Sequence, residues 1–158
     1  TYDLPTIRDM SEIRFYHLLT QSLEQALPQI LTKALAGGHR VVVRTPGDKD
    51  TERLNEHLWT FRPDSFLPHG SAKDGHTADQ PIWLTDREEN PNNADVLVLT
   101  GGTTAENIDD YKLCCEIFDG RNEEAVKTAR TQWKIYKSSG HDLTYWQQNE
   151  SGGWDKKQ

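Results

Sequence analysis

Four cations and one tryptophan share the stretch EEAVKTARTQWKIYKSSG at positions 123–140. Lys127, Arg130, Lys134 and Lys137 follow one another at spacings of 3, 4 and 3 residues. On a helix they fall in one stripe, an arc of about 80° at 100° per residue. Ala125, Val126, Ala129, Trp133 and Tyr136 occupy the neighbouring apolar arc, with Trp133 and Val126 at its border with the cations. Cations beside an indole can hold carboxylates while the ring seats a large apolar side chain. That is the chemistry of a receptor for an acidic peptide with an aromatic end. The same pattern also suits the solvated face of an ordinary amphipathic helix, and a nucleic-acid strand is a rival ligand.

The charge balance bears on that choice. The 158 residues carry a net charge of −7. Residues 121–137 hold five basic residues (Arg121, Lys127, Arg130, Lys134, Lys137) against two acidic ones (Glu123, Glu124), so this segment is +3 and the remainder −10. An acidic surface repels phosphate backbones, which argues against general affinity for nucleic acid.

Other residues invite other chemistry. His69, Asp74 and His76 share one loop, but their spacing matches no helical or hairpin ligand pair. Gly101-Gly102 follows the apolar run ADVLVLT, the place where open α/β sheets bind ligands. Neither GxxxxGK[ST] nor GxGxxG occurs there, and a tight turn accounts for the pair. A small α/β enzyme or nucleotide-binding module remains the alternative on this feature. Direct binding of single-stranded DNA by the basic helix is the other. Neither a metal nor a cofactor is expected. The segment EHLWTFRPDSFLPHG (56–70) is rich in large apolar groups, and Trp59 and Phe66 could form a contact patch for a partner.

These groups need elements to position them. Ile13–Leu19, His39–Thr45, Pro81–Asp86, Ala94–Gly102 and Tyr111–Gly120 read as strands, and Asp142–Gln148 as a final one. Helical spacing runs through Leu23, Leu27, Ile30, Leu31, Ala34 and Leu35, with Pro28 predicting a kink or a later helix start. A second helix runs from about Asp50 to Phe61, capped by Asp48 or Asp50, and the basic helix from Asn122 to Ser139. Strands alternating with helices predict an α/β fold with a largely parallel sheet of about five strands flanked by helices. Met10 is read as the natural initiator, making 1–9 an N-terminal extension. Residues 10–148 then form a single domain and 149–158 a polar tail. No apolar run approaches the ~20 residues of a membrane span. The adjacent Cys114 and Cys115 are expected as reduced thiols of a cytoplasmic protein.

Together, EHLWTFRPDSFLPHG, IFDGRNEEAV, ARTQWKIYKSSGHDLTYWQQ and GGWDKK resemble the chi subunit of bacterial DNA polymerase III, in the right order and at the right distances. The resemblance runs from Met10 to the last residue, and the closing segments are most similar to alphaproteobacterial members. It implies a three-layer Rossmann-like domain without catalytic activity, an accessory subunit of the clamp-loader complex. It implies binding of the acidic C-terminal tail of single-stranded DNA-binding protein, which ends in a phenylalanine carboxylate. Arg130, Lys134 and Lys137 align with basic tail-binding positions and Trp133 with an aromatic one. Trp59 and Phe66 align with aromatic residues of the surface facing the psi subunit or an accessory helicase. Two departures matter. Asp119 stands where relatives can carry an apolar residue near the tail pocket, and Thr60–Pro63 differ from the enterobacterial pattern.

Overall fold

The computed structural model describes residues 12–60, 70–71, 80–106 and 108–158, without the side chains of Trp59 and Thr60. Elements run in the order β1 (Glu12–Leu18), α1 (Leu23–Ala36), β2 (Val41–Arg44), α2 (Asp48–Thr60), β3 (Gly70–Ser71), β4 (Ile82–Thr85), β5 (Val96–Leu99), a 3₁₀ turn (Ile108–Asp110), β6 (Leu113–Asp119), α3 (Glu123–Ser138), β7 (Asp142–Gln148) and β8 (Trp154–Lys156). One sheet takes them in the order β3-β4-β2-β5-β6-β1-β7-β8. Every pairing is parallel except β7 with β8.

The central strands are apolar on both faces because helices cover both. Val41 and Val43 of β2, Val96 and Val98 of β5 and Cys115 of β6 face α1 and α2, which contribute Leu27, Leu31, Leu54 and Leu58. Val42, Leu97, Leu99 and Cys114 face the other way, toward Ala129 and Tyr136 of α3. The adjacent cysteines enter opposite layers, as strand alternation requires. Both are buried free thiols, and burial pushes Cys115 up to about 12.

Two expectations change. Among the described residues the sheet has eight strands rather than about five, since β3 is two residues long and β8 lies in the segment expected to be a polar tail. A hydrophobic pattern cannot mark such short edge strands. The first helix does not start at Pro28. It begins at Leu23, where Ser22 and Gln25 form a capping box. Pro28 leaves the Glu24 carbonyl without its helical donor, and His57 Nε2 of α2 donates to that carbonyl at 2.7 Å.

The β6–β7 connection fixes where α3 lies. It passes over β1 to reach the far side, so α3 packs on β1, with the Trp133 and Phe15 rings edge-to-face at 5.3 Å. The sheet continues beyond the helix as β7 and β8. A corner therefore forms between the helix and the outer strands.

Candidate peptide-binding site

The basic helix is capped at its start by Asn122, whose side chain accepts from Glu124 N at 3.0 Å and Ala125 N at 3.2 Å. Its core face matches the sequence reading. Ala129 and Tyr136 are buried, and Ala125, Val126 and Trp133 are half-buried. Gln132 joins that face although it is polar. Its Nε2 donates to the Gly102 carbonyl at 3.1 Å, tying the helix to the glycine turn.

In the corner between α3 and β7 lies a cleft of about 600 Å³. Val126, Ala129, Arg130, Trp133 and Lys134 line one side. His17 of β1, Tyr145 and Gln147 of β7, and Lys157 and Gln158 after β8 line the rest. Trp133 and Tyr145 meet edge-to-face at 5.8 Å and form an aromatic floor. Tyr145 is held in place by the hydrogen bond between its hydroxyl and His17 Nδ1 at 2.5 Å. Burial, and then the Arg130 guanidinium, hold His17 below its usual value, so the ring is neutral near pH 7. Gly120 admits that ring, since a Cβ there would overlap His17.

The structure thus brings Arg130, Trp133 and Lys134 together and leaves Lys137 outside the cleft, exposed one turn further along α3. Lys127 is exposed too, with Glu124 at 3.7 Å. Arg130, Lys134 and Lys157 have no ion-pair partner among the described residues. Sequence reasoning missed His17, Tyr145 and Lys157, because only strand order places β1, β7 and β8 beside α3. Asp119 lines a different concavity and pairs with Arg121 Nε at 3.0 Å. Trp59 falls in the last turn of α2, and its side chain lies outside the description. Phe66, Met10 and the loop trio His69, Asp74 and His76 also lie outside the described residues.

The other concavity, about 360 Å³, opens at the start of α3 between the ends of β1 and β6. These adjacent strands send their helices to opposite faces, so this is the topological switch point of the sheet. Gly101 and Gly102 line it at φ 62° and 78°. A Cβ at Gly101 would overlap the Pro46 ring, which accounts for the pair as a packed turn. Glu116, Asp119 and Glu124 also line the crevice, and among the described residues no cation does. The first-turn amides that could greet a phosphate already serve the Asn122 cap.

Residues 10–144 match the family model described as DNA polymerase III chi subunit, HolC. The chain is similar to a probable DNA polymerase III subunit chi of Rickettsia prowazekii, at 30% identity over 95% of this chain and 94% of that one. It is also similar to DNA polymerase III subunit chi of Escherichia coli, at 24% identity over 77% of this chain and 83% of that one. A Pseudomonas aeruginosa subunit of the same name is 24% identical over 75% of this chain and 82% of its own. No helix among the described residues is long and apolar enough to cross a membrane. The chain belongs to the family of the chi subunit, an accessory subunit of DNA polymerase III.

Proposed function

We propose that this protein is a non-catalytic, cytoplasmic subunit of the clamp-loader complex that links the polymerase to single-stranded DNA-binding protein by holding that protein's acidic C-terminal tail. The observation that carries the reading is the cleft itself: Arg130 and Lys134, without ion-pair partners among the described residues, beside an aromatic floor, on a chain of net charge −7. In this reading the tail's aspartates are drawn to the basic helix. Arg130 or Lys134 holds the terminal carboxylate, and the terminal phenylalanine lies against Trp133. Lys137 meets the acidic stretch further back.

The magnitudes are sufficient. Burying a phenylalanine contributes about 1.5–3 kcal/mol. Each charge-assisted contact adds roughly 1.5–3 kcal/mol before ordering costs. A micromolar dissociation constant, about −8 kcal/mol, is the expected affinity. Exposed contacts of this kind weaken as salt rises. Titration of a peptide of aspartates closed by phenylalanine tests the reading. Arg130→Ala and Lys134→Ala should each weaken it roughly ten- to a hundredfold. Unchanged affinity in both variants would sink it.

A second contact, through Trp59 and Phe66, joins the protein to a psi-type subunit or an accessory helicase. This part rests on the likeness of segment 56–70 alone. Trp59→Ala and Phe66→Ala should abolish co-purification of that partner while leaving peptide affinity unchanged.

A further inference from the structure

The peptide cleft has a second wall that the basic helix does not supply. We propose that the β7–β8 hairpin forms that wall, and that Lys157 is a further contact for the acidic peptide, opposite Arg130 and Lys134. The inference rests on the reading of the cleft as a site for an acidic peptide.

Register puts Lys157 on the correct face. Trp146 pairs with Lys156 and Gln147 with Asp155. The ladder runs on past β8, since Lys157 N donates to the Tyr145 carbonyl at 2.7 Å and Tyr145 N to the Gln158 carbonyl at 3.3 Å. Tyr145 and Lys157 are therefore cross-strand neighbours, and neighbours of that kind share a face. Tyr145 faces Trp133 of α3, so Lys157 rises on the helix side of the sheet. Asp155 shares that side but lies near Asn149, whose Nδ2 donates to it at 3.3 Å, and it does not line the cleft. Trp154 and Lys156 point to the opposite side, where the Trp154 ring meets Tyr16 at 5.0 Å. That contact pins the hairpin, and its turn is closed by Asn149 Oδ1 accepting from Ser151 N and Gly153 N.

Charge supplies the reason for the arrangement. Three cations without ion-pair partners among the described residues converge on one cleft of a chain whose net charge is −7. Their mutual repulsion is relieved by an anion placed between them. Side chains of an extended peptide alternate in direction, with about 3.3 Å between successive residues. One carboxylate can then meet the helix wall while the next meets the hairpin. The family match ends at residue 144, so most of this wall lies beyond the part of the chain matched to the family model.

The test uses the full chain and a synthetic peptide of aspartates closed by phenylalanine. Lys157→Ala should weaken binding about five- to tenfold, and Lys157→Glu further. Lys156→Ala, on the other side of the sheet, should leave affinity within about twofold. The thermal midpoint should not move, because the Lys157 side chain is exposed and makes no ion pair among the described residues. Wild-type affinity in Lys157→Ala alongside weakened Arg130→Ala overturns the second wall and leaves the proposed function standing. Equal losses in Lys156→Ala and Lys157→Ala also overturn it, because they show bulk charge and not a wall. Wild-type affinity in Arg130→Ala and Lys134→Ala removes the reading beneath it, and the second wall with it.

Discussion

Two concavities open along α3, and they differ in sign. The crevice at the helix start sits where α/β sheets ordinarily take their ligands, yet the charges lining it are those of Asp119 and Glu124, while burial keeps the third carboxyl, Glu116, protonated near pH 7. The cleft on the helix flank sits where the fold makes no general provision for a ligand, yet it collects Arg130, Lys134 and Lys157 around Trp133 and Tyr145. The fold alone would send attention to the first. The side chains send it to the second. The architecture positions α3, and the choice of residues along it places the proposed site on its flank and not at its N-terminus.

Reversing the charge of the cleft should break the comparison most sharply. The double variant Arg130→Glu, Lys134→Glu turns both concavities acidic. Its affinity for the aspartate–phenylalanine peptide should fall more than about a hundredfold, since two charge-assisted contacts become repulsions. Replacing Asn122 by Ala in the crevice should cost about 1 kcal/mol of stability through the lost cap and leave peptide affinity unchanged. Calorimetric titration of the two variants side by side decides the matter. A comparable loss of binding in Asn122→Ala would merge the two concavities into one site.

The crevice makes its own prediction, through pH. Glu116 is 3% exposed, and burial pushes its carboxyl up to about 8 from an ordinary 4.5. The Tyr136 hydroxyl beside it opposes that rise only in part. Between those values the folded chain keeps a proton that the unfolded chain has released. Rising pH therefore favours unfolding, by at most about 1.4 kcal/mol per pH unit. Glu116→Gln removes this term. The variant should gain stability relative to wild type from pH 4.5 to about 8, and the difference should level off above that. Denaturant melts at several pH values would show it, and a constant difference across the range would mean that the carboxyl is ionised in the fold. Peptide affinity should follow neither curve.

How much of this was legible in the sequence depends on range. The core face of α3 follows from 3.6-residue periodicity, and Ala129 and Tyr136 are buried as that period requires. β2 and β5 announce themselves as short runs of Val and Leu. The helix wall of the cleft is local in sequence and was readable for that reason. The opposite wall is not local. His17 lies 128 residues from its partner Tyr145, and no periodicity links them. β8 was hidden by its composition, because Trp154-Asp155-Lys156 follows a Gly-Gly pair and offers a single apolar residue. The helix was readable from its spacing, but not that it begins before Pro28: His57 takes the carbonyl that the proline leaves free, and this contact spans 33 residues.

The smallest expected effect tests where the cleft stops. Lys137 belongs to the basic stripe by spacing, ten residues after Lys127 on the same arc. Yet it lies outside the cleft, and its side chain is exposed without an ion-pair partner among the described residues. An exposed cation of this kind contributes through a screened field, on the order of 0.3 kcal/mol. Lys137→Ala should therefore weaken the peptide less than about twofold at 0.15 M salt, and the loss should vanish at 0.5 M. Arg130→Ala and Lys134→Ala should keep a measurable defect there, because their partners sit against the aromatic floor and are less exposed to ions. If Lys137→Ala matched Arg130→Ala at both salt concentrations, the peptide would follow the whole stripe, and the boundary would have to move one turn along α3.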